Sequence, residues 1–293
     1  MQHRPMAIAI SFALAASPAI AQTTDVQPAS STDVASKPDS NLERMVVVSS
    51  RVAMPIREIA TSVSVLTRDD IETRGYANLA DVLRTQPSIT VTSNGSAGST
   101  TSLRIRGEEG YRTQVRIDGV EVSDPTGTQV GPNFGQIQSS NINRVEILRG
   151  SQGLVYGADA GGVINIETAN GVGEPSGQVS AEYGRYNATN LAADVGGSSD
   201  KFDYYVAASD FSTDGFNSRV NTLENQDDDG YDNTTLHTRL GYQVNEQVKL
   251  NFVARNTNAE GEYDSCFGAS GSTNDCENEF DQTDLRVSAN YST

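Results

Sequence analysis

The sequence predicts a small α+β domain followed by antiparallel transmembrane β-barrel strands, too few to close a barrel. Three observations carry that prediction. Residues 1–21 read as a secretion leader, and no later stretch is long and apolar enough for a membrane-crossing helix. Residues 60–91 read as strand, helix, helix and strand, with polar residues placed to cap each helix. After Gly177 the pattern changes to long two-residue alternation of apolar and polar side chains.

The N-terminus sets the compartment. His3 and Arg4 give a short basic start, residues 6–16 are apolar, and Ala19-Ile20-Ala21 has the small-residue form of a cleavage site. The mature chain is expected to begin at Gln22. Residues 22–42 are rich in Ser, Thr, Asp, Pro and Ala without periodicity, which predicts a disordered tether. Glu43 and Arg44 then lead into Met45, Val46, Val47, Val48, Ser49 and Ser50. A short β-branched run beside a tether has two readings. It adds itself to the sheet edge of another protein, or it is the first strand of its own sheet.

In the α+β segment, residues 62–66 alternate as a strand, with Val63 and Val65 on one face. Thr67 is placed as a helix N-cap, with Asp69 and Asp70 in the first turn, where the helix dipole favours acids. Gly75 closes that helix. Asn78 caps a second, striped by Leu79, Val82 and Leu83 and stopped by Pro87. A strand at 88–92 and a Gly/Ser loop at 94–101 follow. Residues 103–107 and 115–120 are alternating strands, and Asp118-Gly119 is a tight-turn pair. Residues 144–168 read as a strand (Val145, Ile147), a turn punctuated by glycines, and a second strand (Val163, Ile164, Ile166).

Beyond Gly177 about six strands alternate. Phe202, Tyr204, Val206 and Ala208 share one face; Leu236, Leu240 and Tyr242 do the same, as do Val248, Leu250, Phe252 and Ala254, and then Leu285, Val287, Ala289 and Tyr291. A soluble β-sandwich has a similar pattern. The connections favour a barrel: 197–201 and 245–247 are short, whereas 213–233 and 260–283 are long. Six strands cannot enclose a domain, and an open sheet edge in lipid is not viable, so the sequence is expected to be the front part of a larger barrel.

Composition narrows the function. A net charge of −17 makes the chain a poor nucleic-acid binder. Cys266 and Cys276, the only cysteines, are expected to form a disulfide in an oxidising compartment. Asp227, Asp228, Asp229 and Asp232 crowd one long connection, and clustered carboxylates either stay solvated or bind Ca²⁺ through oxygens. His3 lies in the leader and His237 in a strand, and no triad, Walker or Rossmann signature is present, so enzyme activity is not expected.

The ordered pieces RIRG, RIDG and residues 144–168 (RVEILRGSQGLVYGADAGGVINIET) resemble the plug domain of TonB-dependent outer-membrane receptors. Two details depart from the usual pattern: Ser151 stands where a Pro is common, and Ala160 runs directly into Gly161-Gly162. The resemblance covers residue 43 to the end. It implies a signal peptide at 1–21, a periplasmic tether at 22–42, a TonB box at 43–50, a plug at 51–174 and the first barrel strands at 175–293. It implies a Gram-negative outer-membrane transporter. Such a protein binds a cobalamin-like or ferric siderophore chelate outside and imports it with TonB-coupled proton-motive force. The partners it implies are TonB, outer-membrane lipid and the chelate; the alternative is a truncated plug remnant that does not transport, or a secreted plug-like binding protein. Met45, Val46, Val47, Val48, Ser49 and Ser50 would contact TonB. Asn94, Ser96, Tyr111 and Arg112 would face ligand, and Arg106 and Arg149 would pair with acids on the barrel wall. No cofactor is required, with Ca²⁺ in an external loop the one candidate ion. The segments Phe211 to Phe216 and Asp229 to Asn233 resemble the vitamin B12 branch.

Overall fold

Capping chemistry starts both helices where the sequence places them. The computed structural model describes residues 45–46, 54–56, 61–126, 129–150, 161–218, 228–268, 271–273 and 276–292. The leader, the tether, Val47, Val48, Ser49, Ser50 and Asp227 lie outside these residues. Two short strands, β1 (Met45–Val46) and β2 (Met54–Pro55), pair with each other. Strand β3 (Val63–Thr67) runs into α1 (Arg68–Glu72). There Thr67 and Asp70 form a reciprocal capping box, each side chain accepting the other's backbone N–H. Asn78 Oδ1 accepts from Ala80 N at 2.7 Å and starts α2 (Leu79–Arg84).

The chain then forms a hairpin of β4 (Ile89–Ser93) and β5 (Thr101–Ile105). Next come β6 (Thr113–Ile117), β7 (Val120–Glu121), β8 (Ile142–Arg149) and β9 (Gly162–Thr168). Strands β3 and β4, neighbours in the strand–helix–helix–strand reading, do not share a sheet. The five-stranded sheet has the order β3-β8-β9-β6-β7, with β6 and β9 parallel and the other pairs antiparallel. Leu66, Val145, Ile147, Ile164, Ile166 and Ile117 line one face and join Leu79, Val82 and Leu83 in a single apolar core. Burying each such side chain contributes roughly 1.5–3 kcal/mol. The opposite face carries a smaller cluster of Val65, Leu148 and Val163, against which Ile56 packs.

The six alternating segments form one antiparallel sheet, the wall. Its order is β10 (Ser176–Tyr183), β11 (Thr189–Ser198), β12 (Phe202–Thr213), β13 (Tyr231–Gln243), β14 (Val248–Tyr263) and β17 (Cys276–Tyr291). A small hairpin of β15 (Cys266–Gly268) and β16 (Gly271–Thr273) sits between the last two. The sheet is not closed: β10 and β17 are its edges. Register puts Tyr204, Leu240, Phe252 and Val287 side by side on the outward face. Val287 there is 78% exposed. Phe202 and Tyr204 stack at 6.2 Å near the short-turn end, and Tyr242 lies opposite Phe202.

The second long connection is shorter than the sequence reading had it. Strand β14 runs on to Tyr263 and β17 begins at Cys276, so Glu260, Glu262, Glu277 and Glu279 are strand residues. Charge does not stop a ladder, because the backbone bonds that build it are independent of exposed side chains. Cys266 and Cys276 are joined by a disulfide at the head of this connection.

Candidate functional site at the seam between domain and wall

Glu43–Thr293 packs as one unit, and the α+β domain lies against the inward face of the wall. Glycine shapes the first contact. In the loop between β4 and β5, Gly98 has φ +74°, and a Cβ built on it would lie 2.1 Å from the ring of Tyr231. Only a residue without a side chain can occupy that position. Gln136 Nε2 donates to Gly98 O at 2.9 Å, Tyr231 Oη donates to Gln136 Oε1 at 2.6 Å, and Asn233 Nδ2 donates to Tyr231 Oη at 2.8 Å. The loop is thereby tied to wall strand β13. A cavity of about 290 Å³ opens beside it, lined by Ser96, Gly98, Gln138, Phe211, Phe216 and Tyr231 among others. Its walls combine aromatic rings with hydroxyl and amide groups, the mixture that holds a polar organic ligand. Ser96 Oγ is buried there without a hydrogen-bond partner among the described residues.

The second contact is ionic. Asp118 and Gly119 form the two-residue turn between β6 and β7, with φ 47° and 80°. That turn pushes the Asp118 carboxylate into the wall, where it is 1% exposed. Its oxygens accept from Thr168 N at 3.1 Å, Thr168 Oγ1 at 2.7 Å and Arg239 Nη1 at 2.9 Å, and His237 Nε2 lies 2.8 Å away. Arg286 Nη1 donates to the backbone oxygen of Asp118 at 3.0 Å. Burial alone would push the carboxyl up; the hydrogen bond from His237 and the charge of Arg239 outweigh it and hold Asp118 below the usual carboxylate range. At the other edge of the domain sheet, Arg68 of α1 reaches Asp194 of β11 at 3.1 Å.

Residues 55–164 match the family model described as TonB-dependent Receptor Plug Domain. The chain carries the plug domain of the TonB-dependent receptors. It is 33% identical over 233 residues to the vitamin B12 transporter BtuB of Photobacterium profundum, and 29% identical over 241 residues to that of Vibrio vulnificus. These alignments cover 79% and 81% of the chain, which spans 38% of the length of each relative. By sequence the receptor chain therefore resembles the vitamin B12 branch. Two solved structures share its fold. The ferripyoverdine receptor of Pseudomonas aeruginosa has a TM-score of 0.63 at 21% identity, covering 84% of this chain and 33% of that one. A mutant of the ferric enterobactin receptor PfeA from the same organism has a TM-score of 0.63 at 21% identity, covering 79% and 40%.

The receptor geometry places the nominated residues unevenly. Ser96 lines the cavity, while Asn94 is exposed beside it. Tyr111 lines a second, open cavity of about 370 Å³, with Thr101 bordering both. Arg112 is exposed, close to Glu108 at 3.4 Å. Of the nominated TonB contacts, Met45 and Val46 form β1. Asp228 and Asp229 accept from the amides of Asn217 and Ser218, whereas Asp232 lies exposed on β13. Among the described residues no group of three or more acidic, His or Cys side chains is arranged to hold a metal ion.

Arg106 sits exposed in a turn at φ 56°, and buried Arg149 donates Nε to Pro87 O at 3.0 Å. No wall carboxylate meets either among the described residues. Burial, then the charge of Arg106, pull the Arg149 guanidinium below its ordinary value. On these six strands the main ion pair runs the other way: the plug supplies the acid, Asp118, and the wall the cations. Sequence reading took Asp118 only as a turn residue. The available signal was the cluster of His237, Arg239, Arg255 and Arg286 on alternate positions of the strands, a cationic inward face that needs an acid.

Proposed function

We propose that the receptor containing this chain imports a scarce chelated nutrient across the Gram-negative outer membrane, with a cobalamin-type cargo favoured. The observation that carries the reading is a plug domain seated on the polar inward face of a sheet whose outward face is apolar. The vitamin B12 transporters among the relatives favour that cargo over ferric siderophores. In this reading cargo binds on the side of residues 93–100 and 110–113, with Ser96, Asn94, Tyr111 and Arg112 as first contacts. The cavity beside Ser96 offers amide, hydroxyl and aromatic groups, which suit a ligand rich in amides.

TonB engages Met45, Val46, Val47, Val48, Ser49 and Ser50 by strand addition and pulls, using proton-motive force. The pairing of Met45 and Val46 with Pro55 and Met54 is short enough for an incoming strand to displace. The leader ends at Ala21, the plug spans 51–174 and barrel strands begin at 175. No step asks for catalysis or a bound cofactor.

The test is uptake of labelled cobalamin, and separately of a ferric siderophore, by cells expressing the whole receptor. Deleting residues 45–50 should abolish uptake and leave external binding intact. Uptake that survives the deletion refutes the box. Binding and uptake absent for both cargoes refute the import reading and favour a plug that does not transport.

A further inference from the structure

The plug meets the wall through two ionic contacts of opposite polarity at opposite edges of its sheet. In the order β3-β8-β9-β6-β7, α1 follows edge strand β3 and gives a cation, Arg68, to the wall acid Asp194. The turn between β6 and edge strand β7 gives an acid, Asp118, to the wall cation Arg239 and to the imidazole of His237. We propose that Asp118 and Arg68 are charge keys that set the orientation of the plug in the barrel, with Asp118 the anchor. This rests on the plug reading of the chain and not on the identity of the cargo.

Several features single out Asp118. Both carboxylate oxygens are used, and their donors come from the plug's own Thr168 and from the wall. The wall donors belong to β13 and β17, which are separated in the sheet by β14, so the turn bridges three strands. Gly119 is needed for the bridge: a Cβ there would lie 2.6 Å from Arg286 Nη1. A buried carboxylate is tolerated only where such partners meet it, and loss of any one leaves a charge stranded. Turning the plug so that the two edges exchange places would set Asp118 against Asp194 and Arg68 against Arg239. Like charges brought together in a seam reject that docking, which is how electrostatic complementarity sets register.

The seam beside the anchor is polar. A cavity of about 20 Å³ adjoins it, lined by Gln138, Thr168, Ser209, Thr235, His237 and Arg255 among others. With Nε2 directed at the Asp118 carboxylate, a neutral His237 carries its proton there, which leaves Nδ1 as an acceptor. His237 and Gln138 both line this cavity, and His237 Nδ1 and Gln138 Oε1 are buried without a partner among the described residues. The volume suits one water molecule.

The experiment is a double-substitution cycle in the whole receptor, in outer-membrane vesicles, read by amide hydrogen exchange over residues 113–121. Asp118→Asn keeps shape and removes charge; Arg239→Gln removes one partner. Each alone should speed exchange by roughly 10- to 100-fold, the range for losing a charge-assisted hydrogen bond. The pair together should cost little more than either alone, because both remove one interaction. Arg239→Lys, which keeps the charge, should restore part of the protection. Cells carrying Asp118→Asn should also admit a large antibiotic that the intact outer membrane excludes. Exchange unchanged in Asp118→Asn, or effects that multiply in the double variant, overturns the anchor. Neither readout depends on cargo, so failure here is distinguishable from failure of the import reading.

Discussion

Replacing Gly98 with alanine forces a side chain into a place the wall already fills. The backbone there has φ +74°, which costs an L-residue roughly 1–2 kcal/mol. The new Cβ would stand 2.1 Å from Cδ2 and Cε2 of Tyr231. Tyr231 cannot swing away cheaply, because Gln136 and Asn233 hold its hydroxyl. Overpacking of this kind costs about 1–3 kcal/mol. The sum is about 2–5 kcal/mol, so local opening should rise by roughly thirtyfold at the lower bound. Hydrogen exchange at the amides of Asn94 and Ser99, which bond Thr100 O and Ser96 O, reads that opening directly. In a Tyr231→Ala background the steric part should vanish and leave only the backbone part, a few-fold to about thirtyfold. Exchange in Gly98→Ala within about threefold of wild type would refute the packing argument.

Four further outcomes are expected. Thr67→Ala breaks the capping box and should lower plug stability by about 1 kcal/mol in thermal unfolding. Val287→Arg places a charge on the outward face and should weaken assembly into lipid vesicles, at a cost of about 2–4 kcal/mol at mid-bilayer depth that falls to about 0–1 kcal/mol near an interface. Glu167 is held above the usual carboxylate range by burial and then by Glu146, so its ionised form weakens the fold at neutral pH. Glu167→Gln should therefore leave stability unchanged or raised at pH 7, with the difference disappearing in acid. Asp118 has the opposite sign. Its depressed value stabilises the plug above the ordinary aspartate range, and that contribution should be lost as pH falls through the folded value, seen as acid release of the plug in wild type but not in Asp118→Asn.

Local chemistry was legible in the sequence and long-range chemistry was not. Thr67 and Asn78 declared their helices because a cap acts within three residues. Alternation declared the wall, because a strand with one apolar face has a period of two whatever it pairs with. The glycine turn at Asp118-Gly119 was readable as a turn. Its role as anchor was not, because that role depends on side chains 119 to 168 positions further on. The same limit explains Arg106 and Arg149: their type suggested ion pairs, but the described wall offers them none. Loop ends were misread for a different reason. Glu260 and Glu279 look like loop residues by charge, yet they lie directly opposite each other in a backbone ladder that continues past the apolar band.

The most direct test of the central claim is accumulation of labelled cobalamin by cells expressing the whole receptor, compared with and without functional TonB. The account predicts external binding in both and accumulation only where TonB works. Equal accumulation in both, or none in either while the receptor sits in the outer membrane and binds cargo, would contradict it.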